Sequence, residues 1–149
     1  MLAFTKIIKS LSAFLVVFVL IGSPAFAGSE ILGLWIPEEK DSVYEMFTCG
    51  DAICGRVAEL SKPLNSEGTP KVDTLNKDES LRSRPILGMV FLNGLVKKSK
   101  GKWKDGTIYN ARDGKTYSAL MKLKKDGSLE VRGYIGTPML GKSNIWYRP

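Results

Sequence analysis

The sequence has no histidine and only two cysteines among its 149 residues. Catalytic Ser–His and Cys–His pairs are therefore excluded, and so are metal sites built from histidine ligands. Carboxylates remain for acid–base catalysis, but the spacing of the aspartates selects no pair of them for such a role. We expect no catalytic residue, no metal and no cofactor, and we interpret the chain as a protein without enzymatic activity.

Long apolar runs are also missing, except near the start of the chain. Residues 1–27 combine an early basic region, the apolar run Leu11–Ile21 and the small-residue pattern Ala25-Phe26-Ala27. This order is typical of a cleaved signal peptide, and the run is shorter than the about 20 apolar residues of a membrane span. We predict a periplasmic or secreted protein in which residues 28–149 form one domain. The basic charge suits anionic surfaces, and nucleic acid is not an expected partner outside the cytoplasm.

The two cysteines, Cys49 and Cys54, lie close together in the stretch FTCGDAICGRV. Their spacing is not that of a Cys-x-x-Cys redox motif, and a metal site would need further ligands. In an oxidising compartment such a pair forms a disulfide. We expect a hairpin in which Asp51 and Ala52 form the loop, so that Cys49 faces Cys54 across it.

The mature chain shows no long helical period and many short alternating segments. Alternation is strictest over residues 117–124 and 129–135, which Lys125-Asp126-Gly127 joins as a turn. Short strands separated by Gly, Pro, Asn and Asp favour a sandwich or a closed barrel. The other predicted strands are Ile31–Ile36, Val43–Thr48, Ile53–Leu60, Ile86–Leu92, Thr107–Asn110 and Asn144–Tyr147.

One polar segment, residues 62–85, interrupts this pattern. It contains three prolines and is long for a connection in so small a domain. Within it, Asn76 is predicted to cap a short helical turn that runs through Leu81. The segment is either a solvated loop or a lid over one mouth of a barrel.

A set of short motifs resembles a known family. In order along the chain they are GLW at residues 33–35, the two cysteines, RSRPILG at 82–88, DGKTYSA at 113–119, VRGYIG at 131–136 and GKSNIWYR at 141–148. This order resembles the small secreted bacterial family catalogued as domain of unknown function 2147. The resemblance implies an all-β fold, a small antiparallel lipocalin-like barrel of about eight strands with one long polar loop. It implies no particular chemistry.

Three residues are predicted to close one end of such a barrel. Gly33 and Trp35 open the first strand, and Arg148 follows the last one. In lipocalin-type barrels an arginine in this position lies over the indole ring, a cation–π contact of about 1 kcal/mol. We assign these three residues to folding.

A barrel of about eight strands has room for its own side chains or for one small ligand. The inward positions are apolar, so the interior is either a filled core or the wall of a cavity for a hydrophobic or amphipathic molecule. Our candidate ligand-binding residues are Asp73, Arg82, Arg84, Trp103, Tyr109 and Tyr117.

The stretch KKSKGKWK is predicted to form a basic hairpin with one aromatic residue. It is either a solvated loop or a contact for an anionic membrane or envelope surface. Its lysines are Lys97, Lys98, Lys100, Lys102 and Lys104.

Three functions from different classes follow from these features. The favoured one is a periplasmic carrier or sensor of a small hydrophobic or amphipathic ligand. The second is an interaction or enzyme-inhibitor module with a filled barrel, and the third, which we consider unlikely, is a glycan- or lipid-modifying enzyme. The sequence leaves the oligomeric state open.

Overall fold

The computed structural model describes residues 29–149, so the predicted signal peptide lies outside the described residues. Each strand pairs antiparallel with the next, and the last strand pairs with the first to close a barrel. The prediction of a small all-β barrel of about eight strands is confirmed. The strands are β1 Gly33–Pro37, β2 Ser42–Cys49, β3 Ala52–Leu60, β4 Val90–Ser99, β5 Lys102–Asn110, β6 Lys115–Leu123, β7 Leu129–Tyr134 and β8 Gly141–Tyr147.

The connections alternate between the two ends of the barrel because successive strands are antiparallel. The short turns 50–51, 100–101 and 124–128 lie at one end, with Arg148, and we call this the closed end. The loops 38–41, 61–89, 111–114 and 135–140, of which 61–89 is by far the longest, lie at the other, which we call the open end. Within residues 29–149, the only helical elements are 3₁₀ turns of three residues, and none of them is long enough to cross a membrane.

Apolar side chains fill the closed half of the barrel. The inward alternation predicted for β6 and β7 is confirmed, since Ala119, Met121, Leu129 and Val131 are all buried. The largest fully buried side chains of this core are Trp35, Trp103, Ile31, Met46, Leu92, Leu95, Met121 and Leu129.

Arg148 and Trp35 seal this core as expected. The guanidinium carbon of Arg148 lies 4.0 Å from the centre of the indole ring, and the indole N–H donates to the Ile31 carbonyl at 2.8 Å. Gly33 leaves room for the guanidinium, because a Cβ there would lie 3.3 Å from Nη1 of Arg148. Arg148 also donates to the backbone carbonyls of Glu30, Leu32 and Leu34.

The predicted disulfide joins Cys49 and Cys54, but the hairpin register differs from our expectation. The loop residues are Gly50 and Asp51, so that Cys49 pairs with Ala52, and Cys54 lies opposite Phe47. Gly50 has a φ of 65°, a left-handed conformation that favours glycine and places it inside the loop. The disulfide is therefore diagonal across the hairpin, with a Cα–Cα distance of 5.8 Å.

Two strand boundaries and one cap also differ from the prediction. Strand β4 begins at Val90 and runs through Ser99, and β5 begins at Lys102. Lys98, Lys100, Lys102 and Lys104 are exposed and do not interrupt the strands, whereas Lys97 is partly buried opposite the buried Trp103. The cap of the 3₁₀ turn Glu79–Leu81 is Asp78, which accepts from the Ser80 N–H, because the Asn76 side-chain oxygen accepts from the Asp78 N–H instead, before the turn begins.

Candidate ligand-binding site at the open end

The open end of the barrel contains two adjoining chambers. The first, of about 750 Å³, lies beside the 61–89 loop, and the second, of about 660 Å³, lies beside the 135–140 loop. Both are lined by the 38–41 and 111–114 loops, which separate them. Seven residues line both chambers, namely Glu39, Asp41, Tyr44, Phe91, Tyr109, Asn110 and Arg112.

An ion pair between Asp41 and Arg112 spans the mouth between the chambers. Asp41 belongs to the β1–β2 loop and Arg112 to the β5–β6 loop. These loops lie on opposite sides of an eight-stranded barrel whose strands follow chain order. The Arg112 side chain is 76% exposed, so water screens the pair and its contribution to stability is small.

Three aromatic rings form the floor between the chambers. The ring centre of Tyr44 lies 4.6 Å from that of Phe91 and 4.7 Å from that of Trp146. Burial raises the pKa of Tyr44, so its hydroxyl stays protonated and can donate a hydrogen bond. The floor thus offers a broad apolar surface with one polar group.

The long polar segment is fixed to the barrel through Asp73. This carboxylate is fully buried and accepts hydrogen bonds from Asn76 at 2.7 Å, from Arg84 at 2.7 Å and from Tyr109 of β5 at 2.6 Å. The segment contributes several residues to the first chamber. It therefore forms a wall that is held in place near its middle.

The electrostatics of this cluster favour an ionised Asp73. Burial by itself would raise the pKa of Asp73, but the hydrogen bonds from Asn76, Tyr109 and Arg84 outweigh burial and lower the pKa below its ordinary value. Burial and the hydrogen bond to Asp73 together raise the pKa of Tyr109 to about 12. The carboxylate thus holds the Tyr109 ring against the chambers with its hydroxyl facing the polar segment.

The loop 135–140 forms the outer wall of the second chamber. Arg132 holds this loop, since its Nε donates to the Pro138 carbonyl at 2.7 Å. Three apolar side chains of the loop line the chamber while remaining exposed: Ile135 at 63%, Met139 at 89% and Leu140 at 73%. The rim of this chamber is therefore apolar.

The candidate ligand-binding residues separate into three groups. Tyr109 lines both chambers and Tyr117 lines the second, where its hydroxyl donates to Asp113 at 2.7 Å. Asp73, Arg82 and Arg84 line neither chamber and stabilise the wall behind Tyr109. Trp103 is buried at the closed end, where Lys97 lies 5.5 Å from its ring centre.

Several lining residues escaped the sequence analysis. Asp41 and Arg112 are 71 positions apart, and only closure of the barrel brings their loops together. Tyr44 and Trp146 lie in predicted strands, where alternation alone does not tell a cavity wall from a core. One signal was present: the segment 62–85 was predicted to be a solvated loop or a lid at one mouth of the barrel, and part of it lines the first chamber.

Among the described residues, this site offers few side chains that could bind a metal ion. Across residues 29–149, no three His, Cys, Asp or Glu side chains form a group that would hold a metal ion. The acidic side chains of the chambers accept hydrogen bonds from neighbouring side chains. Enclosed volume, an aromatic floor and charged rims are the features that a small-molecule binding site requires.

A closed antiparallel barrel of eight strands, sealed at one end and open to a cavity at the other, defines a lipocalin-like protein. The chain belongs to the family described as "uncharacterized protein conserved in bacteria (DUF2147)", whose model matches residues 33–148. This confirms the resemblance seen in the sequence motifs.

A solved structure supports the same fold. Protein HP1028 from Helicobacter pylori, described as belonging to the lipocalin family, is 29% identical to the chain with a TM-score of 0.69. The similarity covers 80% of this chain and 82% of that protein. A search of curated proteins gives no significant match.

Proposed function

We propose that the protein is a periplasmic or secreted carrier or sensor that binds a small hydrophobic or amphipathic molecule at the open end and catalyses no reaction. The observation that carries this proposal is the pair of chambers over the aromatic floor of Tyr44, Phe91 and Trp146. Each chamber lies within the about 300–1,000 Å³ typical of small-molecule sites. Lipocalin-like barrels generally serve binding, which supports the same function.

The division of the barrel interior argues against a filled barrel. Large side chains already occupy the closed half, so the open half is not needed to complete the core. An interaction or inhibitor module would use its surface loops and would have no use for an apolar cavity. We therefore place that alternative second, and a glycan- or lipid-modifying enzyme third.

Export is supported by two features. The first 27 residues have the order of a signal peptide, and Cys49 and Cys54 form a disulfide, which persists in oxidising compartments. The intact mass of the protein isolated from cells tests this part of the proposal. We expect the mass of residues 28–149, and a mass that includes residues 1–27 would contradict cleavage.

We also propose that the basic hairpin contacts an anionic membrane surface. Lys97 pairs with Glu30 at 3.1 Å and Lys98 with Asp105 at 2.6 Å. Lys102 lies directly opposite Lys122 of β6, an arrangement of like charges that costs stability. Within residues 29–149, Lys100, Lys102 and Lys104 have no ion-pair partner.

Sedimentation with vesicles tests this membrane contact. The fraction of protein that sediments with vesicles containing phosphatidylglycerol should exceed the fraction that sediments with phosphatidylcholine alone, and equal fractions would refute the contact.

Contact quenching of tryptophan fluorescence tests the main proposal. The neutral probe ω-bromododecanol carries a bromine atom that quenches indole fluorescence at short range. All three tryptophans are buried, but only Trp146 lines a chamber, whereas Trp35 and Trp103 lie at the closed end. We expect saturable quenching that Trp146→Phe abolishes and that the matched variant Trp103→Phe retains. An absence of quenching, or quenching that depends on Trp103, would refute a cavity ligand.

A further inference from the structure

The two chambers differ in the balance of their charged side chains. Four cationic side chains and two acidic ones line the first chamber. Two cationic and three acidic side chains line the second. The cations of the first chamber are Lys40, Lys62, Lys71 and Arg112, and those of the second are Arg112 and Lys142.

The acidic side chains of the first chamber are already occupied within the protein. Both carboxylate oxygens of Glu39 accept hydrogen bonds from Asn144, at 2.7 and 2.8 Å. Asp41 accepts a hydrogen bond from Ser42 at 2.7 Å and forms the ion pair with Arg112. Arg112 therefore neutralises Asp41, whereas Glu39 keeps its negative charge, and the first chamber retains three lysines against one carboxylate that has no cationic partner among the described residues.

The lysines of the first chamber, in contrast, are unpaired. Among the described residues, Lys40, Lys62 and Lys71 form no ion pair and no side-chain hydrogen bond. Lys40 and Lys62 flank the backbone hydrogen bond from the Ser61 N–H to the Asp41 carbonyl, so they lie side by side although they belong to different loops, and Lys71 lies farther along the 61–89 loop. Lys40 also has a φ of 55°, a left-handed conformation that is uncommon for residues other than glycine and recurs at functional sites.

Beneath this basic rim the first chamber is apolar. Its deeper lining comprises Val57, Leu60, Ile86, Met89, Phe91 and Ala111. Basic groups above an apolar lining match a molecule with an anionic head and a hydrocarbon chain.

We infer that the ligand is an anionic amphiphile whose carboxylate or phosphate head lies among Lys40, Lys62 and Lys71, and whose alkyl chain lies over the aromatic floor. This inference rests on the proposed function and adds the sign of the charge, the chamber and the orientation of the ligand.

A matched series of probes tests the charge preference. The series comprises ω-bromododecanoate, ω-bromododecanol and ω-bromododecylammonium, used below their micelle concentrations with quenching of Trp146 as the readout. At low salt we expect the carboxylate to bind on the order of tenfold more tightly than the alcohol, since each exposed ion pair contributes modestly. The preference should shrink at high salt.

Two triple variants of equal charge locate the head group. Lys40→Gly with Lys62→Ala and Lys71→Ala should bring the carboxylate and alcohol affinities to within about twofold. Glycine suits the left-handed conformation of Lys40, so this variant should fold. Lys122→Ala with Lys124→Ala and Lys125→Ala removes the same charge from the closed end, at lysines with no proposed binding role, and should retain the preference.

The outcomes separate this inference from the proposed function. Equal binding of carboxylate and alcohol, tighter binding of the ammonium probe, or an equal loss in both triple variants would overturn the anionic head among these lysines while leaving a cavity ligand in place. Trp146 lines only the second chamber, so the proposed function itself would be refuted if all three probes both failed to quench Trp146 and were absent from native mass spectra of the mixtures.

Discussion

The closed and open ends of this barrel differ in how their interiors are packed. At the closed end, short turns join the strands, the core is filled with large apolar side chains and Arg148 covers Trp35. At the open end, four loops surround two adjoining chambers of about 750 and 660 Å³, and polar contacts such as Asp41–Arg112 hold the loops in place. The apolar core of the closed end therefore supplies the stability that allows the open end to keep its chambers.

The largest expected effect is at the closed end. Trp35→Ala removes a fully buried indole and its contact with Arg148, and should lower the free energy of unfolding by about 3–5 kcal/mol. Urea denaturation of the mature protein measures this change. A loss of under about 1 kcal/mol would contradict the claim that this end carries the stability of the barrel.

The next effect concerns the polar segment at the open end. Asp73→Asn leaves Arg84 without its ion-pair partner and weakens the contacts to Asn76 and Tyr109. Because the Arg84 side chain is one-third exposed, we expect a loss of about 2–3 kcal/mol, less than for a fully buried pair. Hydrogen exchange should quicken over residues 61–89 and stay unchanged in β6 and β7. Uniform acceleration across the barrel would show that Asp73 does not act locally.

The disulfide should contribute somewhat less. Replacing Cys49 and Cys54 together by alanine removes a cross-link over a six-residue ring, worth about 2 kcal/mol in the chain-entropy model. Thermal denaturation should show the loss, while binding of ω-bromododecanol at the opposite end should be unchanged. A large change in affinity would show that the two ends are coupled.

The pH dependence of stability should reveal the Asp73–Tyr109 contact. The pKa of Asp73 is lowered on folding, so its contribution is present above about pH 4 and is lost as the pH falls through the folded value. The pKa of Tyr109 is raised to about 12, so its contribution is present below about pH 10 and is lost as the pH rises towards 12.

Tyr109→Phe isolates the alkaline part of this profile. The variant should lose about 1 kcal/mol at neutral pH and show a smaller loss of stability than the parent between about pH 10 and 12. Tyr147→Phe is the matched control, since that tyrosine is 46% exposed and its hydroxyl makes no side-chain hydrogen bond within residues 29–149. An identical alkaline profile in parent and Tyr109→Phe would contradict the contact.

The smallest effect on stability is expected at the mouth. Arg112→Ala removes a largely exposed ion pair and should change the free energy of unfolding by less than about 0.5 kcal/mol. Because the pair spans the mouth, association and dissociation of ω-bromododecanol should both become faster, which stopped-flow quenching of Trp146 measures. Unchanged rates would show that the pair does not restrict entry.

The sequence predicted the closed end better than the open end. Alternation at Tyr117, Ala119 and Met121 was enough to assign their inward face, and the positions of Trp35 and Arg148 predicted the seal. The inward face follows from local periodicity, and the seal follows from the positions of Trp35 in the first strand and Arg148 after the last one. The register of the cysteine hairpin depended on which residue takes the left-handed conformation, and the choice of Asp51 and Ala52 over Gly50 and Asp51 was wrong.

The chambers could not be predicted because they depend on contacts between distant loops. Asp41 and Arg112 meet only after the barrel closes, and the lysines of the first chamber come from the 38–41 and 61–89 loops. Asp73 was predicted as a ligand-binding residue, and its complete burial against Arg84 and Tyr109 could not be read from a polar, proline-containing segment. Whether Tyr109 and Tyr117 touch a ligand stays a prediction.

The central claim is that the open end holds a small-molecule ligand. Native mass spectrometry of the protein isolated from its own cells tests this most directly, when it is followed by denaturation and identification of the released molecule. We predict one molecule of a small amphiphile per chain, carrying a carboxylate or phosphate group. The bare mass of residues 28–149 with one disulfide, found under conditions gentle enough to retain bound ω-bromododecanoate, would contradict a carrier or sensor function.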